Sequence, residues 1–206
     1  MLFMKTASQY RAQAREVLGG NVFSNKWLMA VVVVLVYTAI LGAASTITWG
    51  IAALLLSGFL LYGFDRVFLR LVRGGEEVEL AALFDGKDNA GQTILLGLLS
   101  NIFVFLWSLL FIIPGIIKLY SYSMAFYILN DNPGYDWKMC LDESKRMMRG
   151  NKWRLFCLHL SYIGWLIVGA LCFGIGTLWV QAYMETATAA FYDDLKNGDI
   201  TVKVEE

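Results

Sequence analysis

The chain has 206 residues, 58% of them hydrophobic and 17% charged, with no net charge at pH 7. That apolar excess points to lipid rather than water as the solvent. Zero net charge removes the electrostatic pull that nucleic-acid binding needs, so no nucleic-acid partner is expected.

Charge is distributed unevenly along the chain. Residues 27–64 carry none, residues 90–130 only Lys118, and residues 155–192 only Glu185, with His159 taken as neutral. One crossing takes roughly 20 apolar residues, so each block suits a pair of helices. Helices are predicted at 27–44, 47–72, 91–113, 115–130, 152–173 and 177–196. The fold class expected is all-α: a polytopic membrane protein with six transmembrane helices in three hairpins, forming one integral membrane domain over 1–206. One or two short interfacial helices on the cytoplasmic side complete it.

The segment 1–26 precedes the first block. "TASQYRAQAREVLGG" offers Thr6 as a cap, Arg11 and Arg15 one turn apart, and Gly19–Gly20 as a stop. No small-residue cleavage pattern follows Val31–Val36, so the first apolar block is expected to be retained. Its hairpin turn falls at Gly42 to Thr48. The second helix carries Gly58 and Gly63, small residues that permit close helix approach in lipid. Its inner end holds Asp65, Arg66, Arg70 and Arg73, read as interface anchors; the three arginines could also meet lipid phosphates.

The second block breaks at Pro114–Gly115. Proline suits the start of a helix, where its missing N–H has no partner in any case. Lys118 follows. A lone ammonium in hydrocarbon costs roughly 2.5–3.5 kcal/mol on the lenient insertion scale. Three readings stay open: snorkelling to the outer surface, pairing with Glu185 of the sixth helix, or lining a site for an anionic headgroup or transported anion. Helical spacing puts Lys118, Ser121 and Tyr122 on one face, so these three with Glu185 are the candidate ligand-binding residues.

The stretch 131–152 reads as a cytoplasmic amphipathic helix. Trp137, Cys140, Leu141, Ser144, Met147 and Met148 share one face, and Lys138, Lys145, Arg149 and Lys152 form a basic stripe beside it. Asp142 and Arg146 are spaced for an i,i+4 pair. Such a helix could lie in the headgroup layer, pack against other loops, or dock a partner. In the third block His159 should hydrogen-bond a neighbour, Ser161, Gly164, Gly169 and Ala170 are small packing residues, and the turn falls at Gly174 and Gly176.

Parity sets the topology. Two crossings per block return the chain to one face, so 1–26, 65–89, 131–154 and 193–206 lie together. Of 17 Lys and Arg, 16 fall in these segments, which the positive-inside rule places in the cytoplasm. A multi-pass plasma-membrane protein with both termini cytoplasmic is therefore expected, with membrane lipids as partners. Trp27, Trp49, Trp107, Trp153 and Trp179 lie near predicted helix ends, as interfacial anchors do.

Enzyme motifs are missing. There is no GxSxG, HExxH, Walker loop or CxxC, and carboxylate pairs are read as lying in solvated loops, such as Glu76–Glu77 and Asp193–Asp194 at the end of the last predicted helix. Cys140, Cys157 and Cys172 are odd in number and irregularly spaced, as reduced packing residues are. No metal and no cofactor is expected, and no residue is assigned a catalytic role.

The phrases "IIPGIIKLYSYSMAFYILNDNP", "ESKRMMRGNKWRLFCLHLSYIGW" and "GIGTLWVQAYMETATAAFYDDL", with "LFDG" at 83–86, resemble a bacterial family of integral membrane proteins, domain of unknown function 975. The architecture is distantly similar to the membrane region of some glycerophosphodiester phosphodiesterases. The resemblance implies a bacterial multi-spanning protein and no particular reaction. Ala182 stands where the family usually has a proline, which predicts a straighter sixth helix. The function expected is a non-enzymatic membrane component that binds or moves a small amphiphilic or anionic ligand or assists a transporter. The alternatives are an interaction protein docking membrane or cytoplasmic partners on its cytoplasmic face and, behind it, a lipid-active enzyme.

Overall fold

A computed structural model describes residues 5–47, 51–75, 78–171 and 174–205. Expectations at Thr48, Trp49, Glu76, Glu77 and Cys172 lie outside them. Every regular element among the described residues is helical, with no strand among them. In chain order the helices are α1 (Ala7–Val17), α2 (Asn25–Ile47), α3 (Ile51–Val72), a 3₁₀ segment (Leu80–Asn89), α4 (Ala90–Leu110), α5 (Ile112–Tyr122), α6 (Ala125–Asp131), α7 (Trp137–Met147), α8 (Lys152–Leu160), α9 (Ile163–Leu171) and α10 (Ile175–Glu205).

Among the described residues four stretches are long and apolar enough to cross a membrane: Asn25–Thr46, Ala90–Leu109, Ile112–Asp131 and Lys152–Leu171. α3 and α10 are not among them; α3 carries Asp65, Arg66 and Arg70, and the apolar run of α10 is diluted by Gln181, Glu185 and three threonines. Leu109, Phe111, Ile112 and Ile113 are each at least 70% exposed. A contiguous apolar surface of that kind is unusual on a water-soluble monomer and suits lipid.

Two predicted helices are interrupted. The fourth divides into α5 and α6 at Ser123–Met124, and the fifth into α8 and α9 at Ser161–Tyr162. At each break a side chain from another helix takes a backbone carbonyl: Ser144 of α7 donates to Ser121 at 2.8 Å, and Arg11 of α1 to Ser161 at 3.4 Å. Buried carbonyls need such partners. The turn of the second block also differs from expectation. Phe111 is extended and reverses the chain, while Pro114 sits inside the first turn of α5. The first-turn N–H groups have no intrahelical acceptor, so proline is tolerated there. Gly115 packs its backbone on Ser108 of α4. The sixth helix is continuous through Ala182, and runs on to Glu205.

The chain forms two compact units whose boundaries fall inside α2 and α3. The first comprises Met1–Leu35, Phe68–Val78 and Trp153–Glu206. In it α1 lies along α10. Lys5 pairs with Asp194 at 3.1 Å, Tyr10 meets Phe191 edge-on with centroids 5.3 Å apart, and the Tyr183 hydroxyl donates to the Arg11 carbonyl at 2.6 Å. α1 ends as its glycines predict: Gly20 donates back to Arg15 at 2.8 Å, and both Gly19 and Gly20 take positive φ. Gly169 and Gly176 press backbone to backbone where α9 meets α10.

The second unit comprises Val36–Val67 and Glu79–Lys152. Here Gly58 of α3 packs on Thr93 and Gly97 of α4, and Gly63 on the Leu83 backbone. Gly164, expected to serve the same purpose, has open space about it. α7 starts on its cap Asp136, which accepts the Met139 N–H at 2.7 Å, and packs on α4, α5 and α6. The face read from the sequence is the one it buries: Cys140, Leu141, Ser144 and Met148. Of the three settings open for α7, packing against the protein is the one that covers its apolar face.

Candidate functional site

The four residues read as a ligand site divide between the units. Lys118, Ser121 and Tyr122 belong to the second and Glu185 to the first. Lys118 is half-exposed, its Nζ 4.7 Å from the centre of the Trp107 ring, a cation–π arrangement between α5 and α4. Ser121 is buried and spends its hydroxyl on the Ile117 carbonyl at 2.7 Å. Tyr122 is buried beside Phe103, with Lys145 over its ring at 5.5 Å. Glu185 lies within α10, one turn before Thr188, whose hydroxyl meets His159 Nε2 at 3.2 Å. The histidine thus has the hydrogen-bond partner expected of it.

Two arginines read as lipid-phosphate contacts have acidic partners. Arg66 faces Asp85 at 3.5 Å, and Arg73 grips Asp193 at 2.7 Å, while Arg70 is exposed at the end of α3. Asp193 and Asp194 therefore lie on a helix and are ion-paired, not loose in a loop; Lys5, just before α1, and Arg73, just after α3, supply the cations. On α7, Asp142 takes Lys145 and Glu143 takes Arg146, each three residues apart, in place of the Asp142–Arg146 pair. Lys138 and Arg149 stay exposed, and Lys152 is half-exposed at the start of α8.

The pocket with mixed polar and aromatic walls lies in the first unit and was not assembled from the sequence. It has a volume of about 500 Å³. Trp165, Val168 and Gly169 come from α9, Trp179, Val180 and Tyr183 from α10, Trp27 from the first turn of α2, and Arg15 with Asn21 from α1 and its following loop. Trp179 donates its indole N–H to the Val22 carbonyl at 3.1 Å, and Trp27 packs on Tyr183 with centroids 5.6 Å apart. Val22 and Trp179, placed on opposite faces by the sequence reading, are in contact. Arg15 is exposed, and its guanidinium has no hydrogen-bond or ion-pair partner among the described residues. Three tryptophans and a tyrosine make an apolar wall with polar tips, and the guanidinium supplies one fixed positive charge at its edge.

Outside the membrane-type helices two groups titrate unusually. Burial pushes the Cys140 thiol up to about 12, and burial with Asp194 nearby raises the Tyr10 phenol. Among the described residues no group of three His, Cys, Asp or Glu is placed to hold a metal ion.

These features define an all-helical protein, four of whose described helical stretches are long and apolar enough to cross a membrane, which is consistent with a membrane protein. The family described as Protein of unknown function (DUF975) matches residues 4–122 and 112–199, and the chain belongs to it. Comparison with curated proteins and with solved structures returned no match. The likeness to glycerophosphodiester phosphodiesterase membrane regions gains no support from these matches.

Proposed function

We propose that the protein is a non-enzymatic, multi-pass membrane protein that binds a small anionic amphiphile in the cavity between α1, α9 and α10. The observation that carries this reading is the unpartnered Arg15 guanidinium at the edge of a wall formed by Trp27, Trp165, Trp179 and Tyr183. Aromatic rings accept an acyl chain, and a guanidinium pairs with phosphate or carboxylate in two-point geometry. Topology fits the reading. Three charge-poor blocks each return the chain to one face, the cytoplasmic one by the positive-inside rule. The first two blocks form full hairpins. The third is a shallower hairpin: from Tyr183, which touches the first turn of α2, to the tip at Ile175 is about 12 Å of helix, against roughly 30 Å of hydrocarbon. The cavity then lies near the cytoplasmic headgroups, where an amphiphile presents its charge.

The probe for the test is a single-chain phosphoglycerol lipid brominated on its acyl chain, which quenches nearby tryptophans. In detergent-solubilised protein it should quench with higher affinity than its phosphocholine counterpart. Arg15→Gln should abolish that preference, and Trp179→Leu should remove much of the signal. Equal quenching by both lipids in the parent, or an unchanged preference in Arg15→Gln, would refute the assignment.

One observation favours a second reading. α7 turns its apolar face inward and leaves Lys138 and Arg149 outward, a surface suited to an acidic partner domain. A partner that co-purifies with the parent and is lost from a Lys138→Gln/Arg149→Gln variant would support it, and an unchanged set of co-purifying proteins would not.

A further inference from the structure

Asn101 sits at the twelfth of the 20 residues of the apolar stretch Ala90–Leu109, close to mid-bilayer if α4 crosses. Its side chain is exposed and has no hydrogen-bond partner among the described residues. It borders a groove of about 790 Å³ lined by the small residues Gly42 and Ser45 of α2 and Ala53 and Ser57 of α3, and also by Leu41, Leu54 and Ile102. The hydroxyls of Ser45 and Ser57 already donate to the Gly42 and Leu54 carbonyls, each at 2.7 Å. One turn after Asn101, Phe105 stands 66% exposed on the rim of the same groove.

A primary amide in hydrocarbon loses water as a partner and needs a protein one. Acyl chains offer neither donor nor acceptor, and headgroups lie half a bilayer away. A carboxamide carries both a donor and an acceptor, so it is complementary to itself. Two copies inserted in the same sense and related by a two-fold axis along the membrane normal bring the same residue to the same depth. Small residues let helices approach, and an interhelical amide bond fixes the approach.

We propose that this groove is a homodimer interface, in which Asn101 bonds Asn101 of a second copy and the Phe105 ring of each copy enters the other's groove beside its small residues. The proposal requires that α4 span the bilayer and does not depend on the amphiphile cavity, which lies in the other unit.

The test is single-molecule photobleaching of the labelled full chain in liposomes over a range of protein-to-lipid ratios. The parent should pass from one-step to two-step bleaching as density rises. Asn101→Leu should weaken dimerisation about 3- to 20-fold, the range of a membrane interhelical hydrogen bond. Asn101→Gln, which keeps the amide, should recover part of the loss, and Ser57→Phe, which fills the groove, should weaken assembly while helix content by circular dichroism is kept. A parent that bleaches in one step at every density, or an Asn101→Leu variant that dimerises as tightly as the parent, overturns the proposal; a contact with a different membrane protein would give the first of these results.

Discussion

The hydroxyl of Ser144 on α7 donates to the carbonyl of Ser121 at 2.8 Å, and from its buried position also accepts the Met124 N–H at 3.2 Å. One side chain thus satisfies both backbone groups left over where α5 stops and α6 starts. Ser144→Ala should strand a buried donor and a buried acceptor and lower stability by roughly 1–3 kcal/mol. Thermal unfolding in detergent reads this directly, and a melting temperature equal to the parent's would mean the break is held by other contacts.

Gly58 of α3 and Gly97 of α4 pack backbone to backbone. A methyl group on Gly58 would meet the Thr93 carbonyl oxygen, which belongs to backbone and cannot swing away. Gly58→Val should cost at least the roughly 1–3 kcal/mol typical of overpacking and show as loss of the monodisperse peak in size-exclusion chromatography. Gly164→Ala is the matched control. Nothing lies within 4 Å of its added methyl, so it should be neutral or stabilising by up to about 1 kcal/mol, since alanine favours helix.

Cys140 is fully buried on α7, and its thiol is pushed from 9.0 up to about 12. Iodoacetamide at pH 8 should alkylate it at least about tenfold more slowly in the folded protein than in denaturant, as peptide mass spectrometry can measure. The sign for stability follows from linkage. Below about pH 9 the thiol is neutral in both states and contributes no pH dependence. Between about 9 and 12 only the unfolded chain ionises, so stability falls as pH rises. Cys140→Ala should remove that part of the alkaline slope; identical slopes in the two proteins would mean the thiol is not so perturbed.

Lys118 stands over the Trp107 ring and is half-exposed. Lys118→Met should lower stability by about 0.5–1 kcal/mol, the worth of an exposed cation–π contact, with Trp107→Leu giving a similar loss and the double variant little more. Binding of the brominated probe lipid should be unaffected by Lys118→Met. If that variant abolishes lipid binding, the ligand site belongs around Lys118 and not beside Arg15.

Much of the local structure was legible. The cap and glycine stop of α1, the buried face of α7 and the packing glycines 58, 63 and 169 follow from spacing and residue size, which act over one or two turns. The breaks at Ser123 and Ser161 were not legible, because an interruption is stable only where a distant residue, Ser144 or Arg11, satisfies the freed carbonyl. The ion pairs of Asp193 and Asp194 were missed for the same reason, since Arg73 and Lys5 are far away in the chain. The aromatic cavity was half visible: Trp27 and Trp179 stood out as helix-end tryptophans, but that role hides a cavity wall. Arg15, Trp165 and Tyr183 gave no signal by themselves.

By itself the sequence determined the apolar, helical character of this protein. Runs of apolar residues nearly free of charge suit lipid, and in lipid a backbone must bond to itself as helix. Tertiary structure alone decided which polar groups meet. Whether Arg15 faces an aromatic wall, or Val22 reaches Trp179, depends on how segments more than 100 residues apart pack. Helical periodicity cannot report that, because it records which face a residue occupies and not what stands opposite.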